Sequence, residues 1–134
     1  MIYAVIDTNV LVSALITHNP QAATSTVVGL MLQGAFTPLY DGDVIEEYRE
    51  VLHRDKFKLL PAVVDALISY IIEHGVEMSR TAFPEPLPDE DDRVFYEIAL
   101  TNEDSFLVTG NLKHYPDTPK VITPADFLKV VLEK

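Results

Sequence analysis

The chain has 134 residues, enough for one domain that buries a core, and its 48% apolar and 23% charged residues exclude a disordered segment. It contains no cysteine, which excludes a disulfide scaffold and thiolate metal sites and suits a reducing cytoplasm. A net charge of −11, with 21 acids against 10 lysines and arginines, argues against a nucleic-acid binder with a broad basic face, so a polyanionic substrate would need a local basic patch or metal ions that offset the carboxylates.

No run of about 20 apolar residues appears, and the N-terminus lacks the basic flank of a signal peptide, so a soluble cytoplasmic chain without a membrane contact is expected. The first predicted element is a strand over residues 2–6, apolar at nearly every position and therefore buried on both faces, as in a parallel sheet. It stops at Asp7, and residues 10–16 follow as a buried helix with no room for a hairpin. Asp7 at such a junction either caps the helix or belongs to a site; a capping box would need Glu or Gln where Val10 stands. His18-Asn19-Pro20 ends this helix, and a second spans about 21–33 with Gly34 as its C-terminal stop.

Residues 35–40 form the second predicted strand, and Asp41 caps a third helix with an acidic first turn. Its apolar positions are Val44, Ile45, Tyr48, Val51 and Leu52, which leaves Glu46 and Glu50 toward solvent and Glu47 at the border between core and water. A fourth helix over about 61–73 carries more apolar surface than one buried face requires, and a subunit or partner contact is the expected use. Residues 76–79 are a short strand. Residues 81–88 are extended by their prolines.

Asp89-Glu90-Asp91-Asp92 opens a helix to about residue 102, with Val94, Phe95, Ile98 and Ala99 inward. Strands over 105–108 and 120–122 follow, the first ending at Thr109-Gly110-Asn111, and Thr123-Pro124 starts the last helix. This alternation gives one domain over residues 1–134, a three-layer α/β/α fold with a mostly parallel sheet of about five strands. Ligands of such sheets sit beyond the carboxyl ends of the strands, where Asp7 and Asn111 stand.

Three elements therefore offer acids in comparable places: Asp7, Glu47, and Asp89 with Asp92. Four carboxylates in a row exceed what a helix dipole needs. Acids converging to about 4 Å repel by roughly 4 kcal/mol per pair at an effective dielectric of 20, so such a cluster needs a cation or shared protons. Oxygen ligands without cysteine or patterned histidine select Mg²⁺ or Mn²⁺, ions that activate water and neutralise charge on phosphorus. Metal-assisted phosphodiester hydrolysis is the resulting expectation.

Four stretches carry a resemblance: Asp7 to Ala14; Glu47 to Leu52 with Arg54 and Phe57; Asp89 and Asp92 with Phe95 and Ala99; and Val108-Thr109-Gly110-Asn111 with His114. Together they resemble a PIN domain, the nuclease fold of the VapC-type ribonucleases of bacterial and archaeal toxin–antitoxin systems. The resemblance implies an endoribonuclease acting as the toxin of a type II system, with an RNA substrate, a small antitoxin protein as partner and a homodimeric state.

It also implies that Asp7, Glu47 and Asp92 are the core metal-binding acids, with Asp89 in support and Thr8, Asn9 and Thr109 as supporting polar groups. Asn111 departs from the family pattern, in which Asp is frequent, so one Mg²⁺ or Mn²⁺ is expected to be held well and a second only weakly. Arg49, Arg54, Lys113 and His114 are candidates for phosphate contacts, His114 equally for an ordinary helix-surface residue. A haloacid-dehalogenase-like phosphatase would need a second Asp where Asn9 stands, and a receiver domain would need its Asp after a later strand. The competing reading is a PIN-like protein that binds RNA or a partner and cleaves poorly.

Overall fold

A computed structural model describes residues 1–133. Five parallel strands form one sheet: β1 (Tyr3–Ile6), β2 (Thr37–Tyr40), β3 (Val76–Glu77), β4 (Phe106–Val108) and β5 (Val121–Ile122), in the order β3-β2-β1-β4-β5. Six helices flank it in a three-layer arrangement: α1 (Thr8–Ile16), α2 (Ala23–Leu32), α3 (Gly42–Leu52), α4 (Pro61–His74), α5 (Arg93–Leu100) and α6 (Pro124–Leu132). The expected fold class is therefore the observed one, with every strand pair parallel.

β1 is central because it is the strand whose side chains can be buried on both faces: Ala4, Val5 and Ile6 are inaccessible. It pairs with β2 through Tyr3 opposite Thr37, and with β4 through Ile6 opposite Val108. The chain moves outward from β1 to β2 and β3, then returns to the other side of β1 for β4. The topological switch point lies between β1 and β4, and their carboxyl ends release Asp7 and Thr109 side by side. The Asp7 N–H donates to the Val108 carbonyl at 2.9 Å, which fixes this junction.

Helix α3 is tied to the same end. Tyr48 is fully buried, and its hydroxyl donates to the Ile6 carbonyl, the last of β1. A buried tyrosine needs such a partner, and this one sets the neighbouring Glu47 near Asp7. Helix α5 packs on β1 and β4 through buried Phe95, Ile98 and Ala99. At the opposite end of α5, Lys120 Nζ donates to the carbonyls of Ala99, Asn102, Glu103 and Ser105 at 2.9–3.3 Å, joining the helix end to the start of β4.

Several boundaries differ from the sequence expectation, for local reasons. β2 starts at Thr37 rather than residue 35 because α2 ends in a Schellman turn: Gly34 has φ +78°, and the Ala35 N–H is taken by the Leu30 carbonyl. The acidic run does not begin an α-helix directly. Asp89 accepts from the Asp91 N–H at 3.0 Å and caps a 3₁₀ turn, Glu90–Asp92, after which α5 runs only to Leu100. β3 stops at Glu77, β4 begins at Phe106 and β5 at Val121.

The proline-rich connector carries no regular element, as its prolines require. It is held by Arg93, which donates to the Phe83 and Glu85 carbonyls and pairs with Glu90 at 2.8 Å. The apolar surplus of α4 is real: Val63 and Ile72 are exposed, and Val63, Ala66, Leu67 and Tyr70 border an open groove with Leu15 and Leu32. No helix among the described residues is long and apolar enough to cross a membrane.

Candidate metal centre

Beyond the carboxyl ends of β1 and β4 lies an open cleft lined by Asp7, Thr8, Asn9, Glu47, Arg54, Asp89, Asp92, Asn111 and His114, with Val12, Ser13, Val51 and Phe57 on its walls. Asp7 stands at the cap position of α1, yet its carboxylate makes no capping hydrogen bond. Instead, Oδ2 accepts from Thr109 Oγ1 at 2.9 Å and from the Tyr115 hydroxyl at 2.8 Å. Both donors are buried, so Asp7 is held by the residue that follows β4 and by a tyrosine from the loop between β4 and β5.

Thr109 is the hub of this support. Besides donating to Asp7, its Oγ1 accepts from the Asn111 N–H at 3.0 Å, and Asn9 Nδ2 stands 3.5 Å away. Asn9 Oδ1 accepts from the Gly110 N–H at 3.1 Å, so the Asn9 side chain orders the loop after β4. Thr8, expected as a supporting polar group, is buried, and its Oγ1 has no hydrogen-bond partner, alone in this among the buried side-chain oxygens and nitrogens of the described residues. An unsatisfied buried hydroxyl is costly and calls for a reason.

The acids feel one another. Burial pushes the Asp7 carboxyl above its ordinary range, and the Tyr115 and Thr109 hydrogen bonds oppose the rise. Burial, then repulsion by Asp7, pushes Asp92 up to about 6, against the pull of His114. Glu47 is raised by burial and by Glu50, Asp91 and Asp7, with Arg54 opposing. Tyr115 is held far above the ordinary phenol range by burial and by the charges of Asp7 and Asp92, so it remains a donor.

Among the described residues, one group places a ligand atom from each of three side chains within 4.8 Å of the others: Asp89, Asp92 and His114. His114 Nδ1 is hydrogen-bonded to Asp92 Oδ2 at 2.9 Å. Asp7 and Glu47 line the same cleft but lie outside this tight group. The donor chemistry fits a divalent cation: half-buried acids raise one another's proton affinity, and a cation would relieve that repulsion.

The basic candidates divide. Arg54 lines the cleft and is paired with Glu50 at 2.8 Å. Arg49 is exposed elsewhere on α3, where its carbonyl is bonded to His53 Nδ1. Lys113 borders an adjoining hollow with Asn111 and His114 rather than the cleft itself.

The family description that matches this chain is "PIN domain", over residues 3–113. The chain belongs to the PIN domain family. PIN domains are typically metal-dependent nucleases, and the acidic cleft at the switch point is where such chemistry would lie. No curated protein and no solved structure matches the chain.

Two residues of this PIN domain's site escaped sequence reading. Tyr48 reads as one more apolar member of the α3 stripe, and its need for a hydroxyl partner was the available signal. Tyr115 follows His114 directly, but nothing in the spacing indicates that the chain turns back to bring it beneath Asp7.

Proposed function

We propose that this PIN domain is a metal-dependent endoribonuclease that hydrolyses RNA phosphodiester bonds with Mg²⁺ or Mn²⁺, as the toxin of a type II toxin–antitoxin system. The observation that carries the reading is the position of Asp7, buried, oriented by Thr109 and Tyr115, and facing Glu47 and Asp92 across one open cleft. Asp7, Glu47 and Asp92 would hold the ion, with Asp89 in support. A divalent ion there supplies positive charge for the phosphate and its leaving oxygen, and acidity for the attacking water.

The chain's own groups do the rest. Thr109 and Tyr115 keep Asp7 Oδ2 engaged, which leaves Oδ1 as the oxygen available to the cleft. Arg54 stands on the rim, where it can exchange Glu50 for a phosphate oxygen. Asn111 presents a neutral amide, which favours one well-held ion over two. The exposed groove beside α4 suits a second copy, giving a homodimer, and the antitoxin is the further partner of this reading.

Purified protein is expected to cleave single-stranded or structured RNA with Mg²⁺ or Mn²⁺ and to be inert with a chelator. Failure to cleave varied RNAs with either ion, while still binding them, favours a PIN domain that binds without cutting, the reading suggested by Asn111. Growth arrest on expression, relieved by the product of an adjacent small gene, tests the toxin role separately.

A further inference from the structure

We propose that His114 is itself a metal ligand, joining Asp92 and Asp89 in a mixed nitrogen and oxygen site that selects an ion of the Mn²⁺ type over Mg²⁺. The inference rests on the metal-dependent reading of the cleft. Its basis is the meeting of two elements: Asp89 and Asp92 bracket the 3₁₀ turn before α5, while His114 closes the turn after β4, its N–H donating to the Asn111 carbonyl at 3.0 Å.

The separations suit a shared ion. Ligands about 2.1 Å from a six-coordinate ion stand about 3 Å apart when adjacent and about 4.2 Å apart when opposite. His114 Nδ1 is 2.9 Å from Asp92 Oδ2, and all three ligand atoms lie within 4.8 Å of one another. Asp89 Oδ1 accepts from the Asp91 N–H at 3.0 Å, which fixes its carboxylate beside the group. His114 lines the acid cleft beside Asn111, whose neutral amide brings no competing charge.

The chemistry then decides the ion. Mg²⁺ binds oxygen and gains little from imidazole, whereas first-row transition ions accept nitrogen and oxygen together. The other role open to the histidine is to stay hydrogen-bonded to Asp92 and orient it from outside the coordination sphere. That arrangement gives no direct bond between nitrogen and ion.

Pulsed electron paramagnetic resonance of the Mn²⁺-loaded full chain separates the two. A directly bound imidazole nitrogen is expected in the native protein, absent in His114→Gln and retained in the control His53→Gln. Titration should show Mn²⁺ affinity falling about tenfold or more in His114→Gln, with Mg²⁺ affinity changed less than about twofold. Mn²⁺ bound without nitrogen coupling overturns the ligand assignment and leaves the nuclease reading standing. No Mn²⁺ bound at all overturns both.

Discussion

The phenol of Tyr115 donates to Oδ2 of Asp7 across 2.8 Å, joining residues 108 positions apart at the end of the central strand. Thr109 approaches the same oxygen at 2.9 Å. One carboxylate oxygen is thus committed to the protein, and the direction of the other is set before any ligand arrives.

Tyr115→Phe keeps the ring but removes this donor from a buried carboxylate. A loss of about 1.5–3 kcal/mol in unfolding free energy is expected at neutral pH, the range for a hydrogen bond to a charged group. Without the phenol, the Asp7 carboxyl rises further above its ordinary range. The destabilisation is therefore largest where Asp7 is ionised and shrinks as pH falls toward 4. Chemical denaturation with a chelator present, at several pH values, reads both effects. A pH-independent loss would show that the phenol stabilises the protein by packing alone.

Asp92→Asn should act in the opposite direction. Because Asp92 is pushed from 3.8 up to about 6, its bound proton stabilises the fold fully below the unfolded value, and that stability is lost as pH rises through about 6. Metal-free Asp92→Asn is therefore expected to match or exceed the native protein in melting temperature at pH 7.5, with the advantage gone near pH 4. Added Mn²⁺ should stabilise the native protein and not the variant. Equal stabilisation of both by Mn²⁺ would remove Asp92 from the site.

Lys120→Met removes four ammonium contacts to carbonyls at the end of α5 and the start of β4. Stranding those carbonyls should cost about 2–3 kcal/mol and lower the melting temperature by on the order of 10 °C. Thermal melts of the two proteins check it. A shift within error would mean that water replaces the ammonium without loss.

The sheet was legible from the chain because its strands are short apolar runs broken by helices, and because Asp41, Thr123-Pro124 and Gly34 punctuate those helices by local rules that tertiary contacts do not override. The strand ends were less legible. Ala35 reads as strand by composition, but its N–H is claimed by a helix end five residues back.

Within the cleft, the motifs that resemble a PIN domain pointed to Asp7, Glu47, Asp89 and Asp92, but nothing in the sequence pointed to the bonds that hold them. The Thr109 and Tyr115 bonds to Asp7 span more than 100 residues, and no periodicity encodes contacts at that separation. The same limit applied to His114: as one of a basic pair it suggested phosphate, whereas the fold places its ring against Asp92. Arg49 illustrates the reverse, a cation close in sequence to Glu47 but exposed outside the cleft.

The most direct test of the central claim is RNA cleavage by Asp7→Asn in Mn²⁺, beside native protein, with circular dichroism and a thermal melt on both. The substitution keeps shape and removes the charge at the junction of β1 and α1. A loss of cleavage on the order of 10²- to 10³-fold, or to background, is expected with the fold intact. Native-like cleavage by folded Asp7→Asn would contradict the assignment of this cleft as the catalytic metal centre.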